Sequence, residues 1–144
     1  MTQEQKDLLL KDLCSRLDTN LVCSIYRTDD EGVGYRDEIL HGYCKGDIWY
    51  EFYFREDCSI GIDDVSKIKP YLFPLSSMTE EQQKEYRNIC DLDMTILENR
   101  PMKGEPFPAM YNSQDWLDAN HFDYRGLIPL GLANDATNLN IYRL

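Results

Sequence analysis

The sequence has no apolar run near the ~18 consecutive residues a membrane span needs, and it carries few of the residues from which metal and nucleophile sites are built. There are two histidines, His41 and His121, and five cysteines, none in a CxxC pair. The cysteines, Cys14, Cys23, Cys44, Cys58 and Cys90, stand 9, 21, 14 and 32 positions apart, so neither a zinc knuckle nor a compact disulfide framework is expected. They read as free thiols, with no metal and no cofactor. A P-loop, a GxGxxG turn and a serine nucleophile elbow are all missing. Basic charge is scarce as well: 15 Lys and Arg against 26 Asp and Glu give a net charge of −11. That field repels phosphate backbones, so nucleic-acid binding is not expected. The start of the chain, MTQEQKDLLLKDL, has acidic and polar residues where a secretory signal has basic ones, and the expected location is cytoplasmic with no membrane association.

What is present suits one domain. At 144 residues, 42% of them hydrophobic, the chain has the commonest domain size and buries roughly 68–70% of the surface its unfolded form exposes. Residues 1–144 are therefore read as a single domain.

Thr2 and Gln5 form a capping box, and Leu10, Leu13, Cys14 and Leu17, widened by Leu9, make the apolar stripe of a helix over 3–17. The pattern then changes to strand: 21–27, then 36–44, then 48–54 after Gly46, with Ile48, Tyr50, Phe52 and Phe54 on one face, and a short strand at 59–62. Residues 63–68 suit a single helical turn. Pro70 and Pro74 mark 69–75 as extended but exclude a regular helix or a central strand. A second capping box, Thr79 to Gln82, opens a helix over 80–92 that buries Tyr86, Ile89 and Cys90. Residues 98–111, with three prolines and a glycine, are expected to be an irregular surface loop, followed by a last short helix to about Asn120. The fold class is α+β: an N-terminal helix on a sheet of three or four antiparallel strands, with a proline-rich segment and further C-terminal helices.

Two stretches, residues 68–82 (IKPYLFPLSSMTEEQ) and 115–132 (DWLDANHFDYRGLIPLGL), resemble a family of small proteins without assigned activity encoded by phages and other mobile elements of gut anaerobic bacteria. The resemblance spans residues 62–136 and leaves the strands at 21–61 as the variable part. It implies accessory phage or mobile-element biology and assigns no catalytic residue.

Candidate binding residues cluster at Trp116, His121, Asp123, Tyr124 and Arg125. His121 can move a proton near neutral pH, Asp123 can orient it and Arg125 can clamp an anion. The same residues serve as a helix exit, with His121 on the helix dipole, Asp123 paired to Arg125 and Gly126 as left-handed cap, and Trp116 as a core anchor. The paired acids Asp91 with Asp93, and those at 29–31, read as solvated faces. Three functions follow: a protein that binds a host or phage protein through an acidic, tyrosine-rich surface; a small-ligand or nucleotide binder using 116–125; and a hydrolase-like enzyme with a His121/Asp123 pair. The first is the principal expectation.

Overall fold

A computed structural model describes residues 1–29, 32–98 and 112–142. The expected loop over 98–111 lies outside the described residues, apart from Glu98 at a helix end.

Helix α1, Gln3–Ser15, starts at the capping box: Gln5 N–H donates to Thr2 Oγ1 at 3.1 Å, and Thr2 N–H to Gln5 Oε1 at 3.0 Å. These bonds satisfy two of the N–H groups every helix start leaves open. The buried line is Leu9, Asp12, Leu13 and then Arg16, rather than the stripe through Leu10, Cys14 and Leu17, which is only partly covered. Positions 9, 12, 13 and 16 still follow helical spacing, but two are charged, so a count of apolar residues turns the helix too far. The helix also stops two residues short of 17, with Arg16 as its C-cap.

Among the described residues seven strands follow: β1 Val22–Asp29, β2 Gly32–Lys45, β3 Tyr50–Phe54, β4 Ile60–Ile62, β5 Ile68–Pro74, β6 Phe122–Asp123 and β7 Asn134–Asp135. Their order is β4-β3-β2-β1-β5-β6, with β7 also paired to β5. The four strands foreseen between 21 and 62 are present and antiparallel, so the fold is α+β, yet the sheet is larger than three or four strands and mixed. The proline-rich segment joins it as β5, antiparallel to β1, while β6 and β7 run parallel to β5. Pro70 is tolerated in this inner position because β5 pairs with β1 over three residues only and with β6 and β7 over two each, so few ladder bonds ask for its missing N–H.

Phe52 and Phe54 are fully buried and face inward as expected, but Ile48 precedes β3 and is 96% exposed. With Leu21, Cys23, Ile25, Leu40, Ile60, Ile62, Ile68 and Leu72 they form the core that α1 covers through Leu9 and Leu13. Each such side chain contributes about 1.5–3 kcal/mol of burial.

The sheet curls. Residues 63–67 alone join β4 to β5, and the 3-10 turn Val65–Lys67 shortens them, so the link reaches about 17 Å. Four strand spacings in a flat sheet would need about 19 Å. The bend falls in β2, where the register shifts between Leu40 and Gly42 and one long strand passes from pairing with β1 to pairing with β3.

Helix α2, Glu80–Glu98, runs six residues past the expected end, and α3, Asn112–Ala119, packs against it. The second capping box is present, with Gln82 N–H on Thr79 Oγ1 at 3.1 Å and Thr79 N–H on Gln82 Oε1 at 3.0 Å. Tyr86, Ile89 and Cys90 lie half-buried along one stripe of α2. Among the described residues no helix is long and apolar enough to cross a membrane.

Candidate functional site

The end of α3 sets the geometry of the 116–125 region. His121 has φ 62°, and its N–H donates to Asp118 O at 3.1 Å, so the chain reverses at His121 itself rather than at Gly126. Phe73 N–H then donates to His121 O at 2.8 Å and carries the chain into β6. Asp123 turns both carboxylate oxygens on the next bend, accepting from Leu127 N–H and Ile128 N–H at 2.9 Å each. It does not pair with Arg125. Gly126, at φ 77°, opens that bend.

His121 is buried and its ring stacks on Tyr142, with centroids 3.7 Å apart and planes inclined by 14°. Burial, reinforced by the Arg16 charge, lowers its pKa to about 4, so the imidazole is neutral near pH 7. Its Nδ1 has no hydrogen-bond partner among the described residues. With Asp123 committed to backbone N–H groups, the two side chains share no proton, and an acid–base pair is not assembled. Trp116 lies between Tyr86 and Phe122, at ring distances of 5.5 and 5.7 Å, and fastens α3 to α2 and β6.

Tyr124 and Arg125 belong instead to a buried network centred on α1. Arg16 grips Asp12 with two bonds of 3.0 Å, and its Nη2 also donates to Phe122 O at 2.6 Å. Arg125 Nη1 reaches Asp12 Oδ1 at 2.8 Å, the Tyr124 hydroxyl at 2.7 Å and Ser15 Oγ at 3.1 Å. The Tyr124 hydroxyl donates to Asp118 Oδ1 at 2.7 Å, and Arg16 stands 3.8 Å from the same carboxylate. Both guanidinium groups lie over the Tyr124 ring, at 4.5 and 5.2 Å. Two arginines and two aspartates leave the network neutral. Burial raises the pKa of Asp118, opposed by the Tyr124 hydroxyl and both arginines, and raises that of Tyr124, aided by its bond to Asp118. Arg16 and Asp12 are wholly inaccessible, and a neutral, mutually bonded cluster of this kind aligns elements rather than transforming a substrate.

Sequence reasoning found Tyr124 and Arg125 but missed Asp12, Ser15, Arg16 and Asp118. The legible signal was an Asp and an Arg four residues apart, both on the helical line through Leu9 and Leu13.

Open surface lies elsewhere. In β1 the core takes Cys23 and Ile25, so Ser24, Tyr26 and Thr28 point to the opposite face, where the register sets Asp37, Tyr35 and Val33 beside them. Val33 is 73% and Tyr35 71% exposed, and Ile39 is exposed next to them. Tyr26 meets Tyr35 edge-on at 5.2 Å, and the Tyr71 hydroxyl donates to Asp37 Oδ1 at 2.8 Å. A shallow concavity of about 510 Å³ on this face is lined by Ser24, Tyr35, Lys69, Tyr71, Asn134 and Leu139 among others. A second, of about 290 Å³, lies between residues 26–28 and 59–63. No protein-family model, curated protein or solved structure matches the chain.

Proposed function

We propose that the protein works by binding another protein, through the outer face of β1 and β2 and the adjoining part of β5. The observation that carries this reading is the group of exposed apolar and tyrosine side chains, Val33, Tyr35 and Ile39 with Tyr26 and Tyr71, on a sheet face turned away from the core beneath α1. Tyrosines give large contact area with a polar tip, and exposed apolar groups gathered on one face mark interaction sites. Asp37 and Asp135 beside them, within a chain of net charge −11, favour a partner with a basic rim. The resemblance of residues 62–136 to phage and mobile-element proteins suggests a host or phage protein as that partner. The region 116–125 is closed by its own bonds and supports neither a ligand pocket nor a hydrolytic site as well as this face supports docking.

The test is affinity capture from a lysate of a gut anaerobe at low and moderate salt, with the wild-type chain and with Val33→Ser/Tyr35→Ser. One stoichiometric basic protein, held less well at moderate salt and lost in the double variant, is the expected result. Equal capture by the variant overturns the assignment to this face.

A further inference from the structure

We infer that residues 137–142 form a strap that closes one side of the concavity on the docking face and is released when His121 takes up a proton. The strap follows Ala136, whose N–H donates to Leu72 O at 2.8 Å. Residues 137–140 are exposed, and their bonds are local: Thr137 N–H to Asp135 Oδ1 at 2.9 Å and Leu139 N–H to Ala136 O at 3.1 Å. Among the described residues, the hydrogen bonds that tie the strap to β1 and β5 all involve the Tyr142 hydroxyl. It accepts from Val22 N–H at 3.0 Å and donates to Tyr71 O at 2.8 Å, with Val22 O further off at 3.4 Å. So fastened, the strap holds Leu139 against the concavity that Ser24, Tyr35, Lys69 and Tyr71 also line. Its bearing on docking rests on the proposed function, while the movement itself does not.

The hydroxyl occupies the place of a ladder bond. Pairing of β1 with β5 stops at Cys23 opposite Pro70, so Val22 and Tyr71, next in register, do not close a mutual pair. In a continued ladder Val22 N–H and Tyr71 O would bond directly at about 2.9 Å, whereas here the Tyr142 oxygen stands between them. When Tyr142 withdraws, the direct bond satisfies both groups, so the open form is a second defined arrangement and not a frayed one. Closing that bond draws Tyr71 toward β1. Tyr71 also donates to Asp37 on the docking face at 2.8 Å, so release of the strap removes the Leu139 wall and shifts the Tyr71 wall together.

His121 supplies the trigger. Its buried ring lies flat on Tyr142, 3.7 Å between centroids, with Nδ1 lacking a hydrogen-bond partner among the described residues. The surrounding groups offer a proton little compensation. From α1, Arg16 repels it, and Asp12 is bonded to Arg16 and Arg125. Asp118 of α3 accepts from the Tyr124 hydroxyl, and Asp123 of β6 from Leu127 and Ile128 N–H. Tyr142, Tyr71 of β5 and Cys23 of β1 stay neutral, burial raising the pKa of all three. A charged imidazole is therefore accommodated by withdrawing Tyr142 and admitting water to the ring. The closed form takes the proton near pH 4 and the opened ring nearer 6.5, so opening is favoured as the pH falls through that window.

Digestion of the full chain by a broad-specificity carboxypeptidase tests the strap, because Tyr142 is released only from the open form. Its rate of release is divided by that from a synthetic peptide of residues 136–144 at pH 7 and at pH 5, with circular dichroism checking the fold at both. Expected is a relative rate that rises about five- to twentyfold from pH 7 to pH 5 in wild type and changes by no more than about twofold in His121→Asn. In Tyr142→Ala, NMR is expected to show a through-hydrogen-bond coupling between the Val22 nitrogen and the Tyr71 carbonyl carbon that wild type lacks at pH 7. That second measurement leaves His121 unchanged and so decides even where His121→Asn fails to fold. A wild-type rate independent of pH, an equal rise in His121→Asn, or no coupling in Tyr142→Ala overturns the proposal. None of these readings involves a partner, so they stand or fall separately from the docking function.

Discussion

The interior behind α1 and the outer face of β1 and β2 reverse the usual distribution of side chains. Asp12 and Arg16 are wholly buried, with Asp118 and Arg125 bonded around them, whereas Val33 and Tyr35 stand in water. The buried charges bond to one another, with Arg16 Nη1 alone of their buried nitrogens left without a hydrogen bond among the described residues, and their contacts lie inside the molecule. The exposed apolar groups have no such closure, and it is on them that the proposed docking rests. Polarity in the wrong layer is informative only together with its partners: bonded, it marks architecture; open, it marks contact.

The sharpest way to break this contrast is Arg16→Met, which leaves the Asp12 carboxylate buried with Arg125 as its remaining cation. Urea denaturation is expected to show a loss of about 3–5 kcal/mol. Loss below 1 kcal/mol would mean that the network is not what holds α1 to β6.

A smaller effect comes from His121, at the border of the same interior. Its folded pKa, about 4, lies below the unfolded value near 6.5, so the unfolded chain binds the extra proton in that window. The contribution is fully present above pH 6.5 and is lost as the pH falls toward 4, by about 3 kcal/mol in all. In His121→Asn, which keeps a residue tolerant of positive φ, the dependence of the urea midpoint on pH between 6.5 and 4 is expected to be correspondingly flatter.

The smallest change is expected on the open face: Val33→Ser/Tyr35→Ser should alter stability by no more than about 0.5 kcal/mol in the same denaturation assay. A larger loss would assign those side chains to the fold instead of to a partner.

Strands β1 to β4 and helices α1, α2 and α3 were legible because period-two and period-3.6 patterns and two capping boxes state them locally. The strands β6 and β7 were not, since two residues carry no period and their pairing is decided by β5. The proline-rich segment was read as extended but not as an inner strand, because proline's missing donor tells against a ladder unless the ladder is short. Of the site, the sequence singled out Trp116, His121, Asp123, Tyr124 and Arg125, of which Tyr124 and Arg125 share one network while the other three have separate contacts. It could not show that Arg125 would pass over Asp123 for Asp12, a partner 113 positions away.

That distance has a consequence for synthesis. The bonds from Arg16 to Phe122, Asp12 to Arg125 and Val22 to Tyr142 span 106, 113 and 120 positions. While the chain is emerging from the ribosome, α1 has its Thr2–Gln5 capping box, its own Asp12–Arg16 pair, worth about 0.3–0.5 kcal/mol on an exposed helix, and the grip of Leu9 and Leu13 on the strands. Closing so long a loop comes late. The first helix to be translated is thus among the last to be secured, and a product released before residue 112 would present its Asp12 and Arg16 to water.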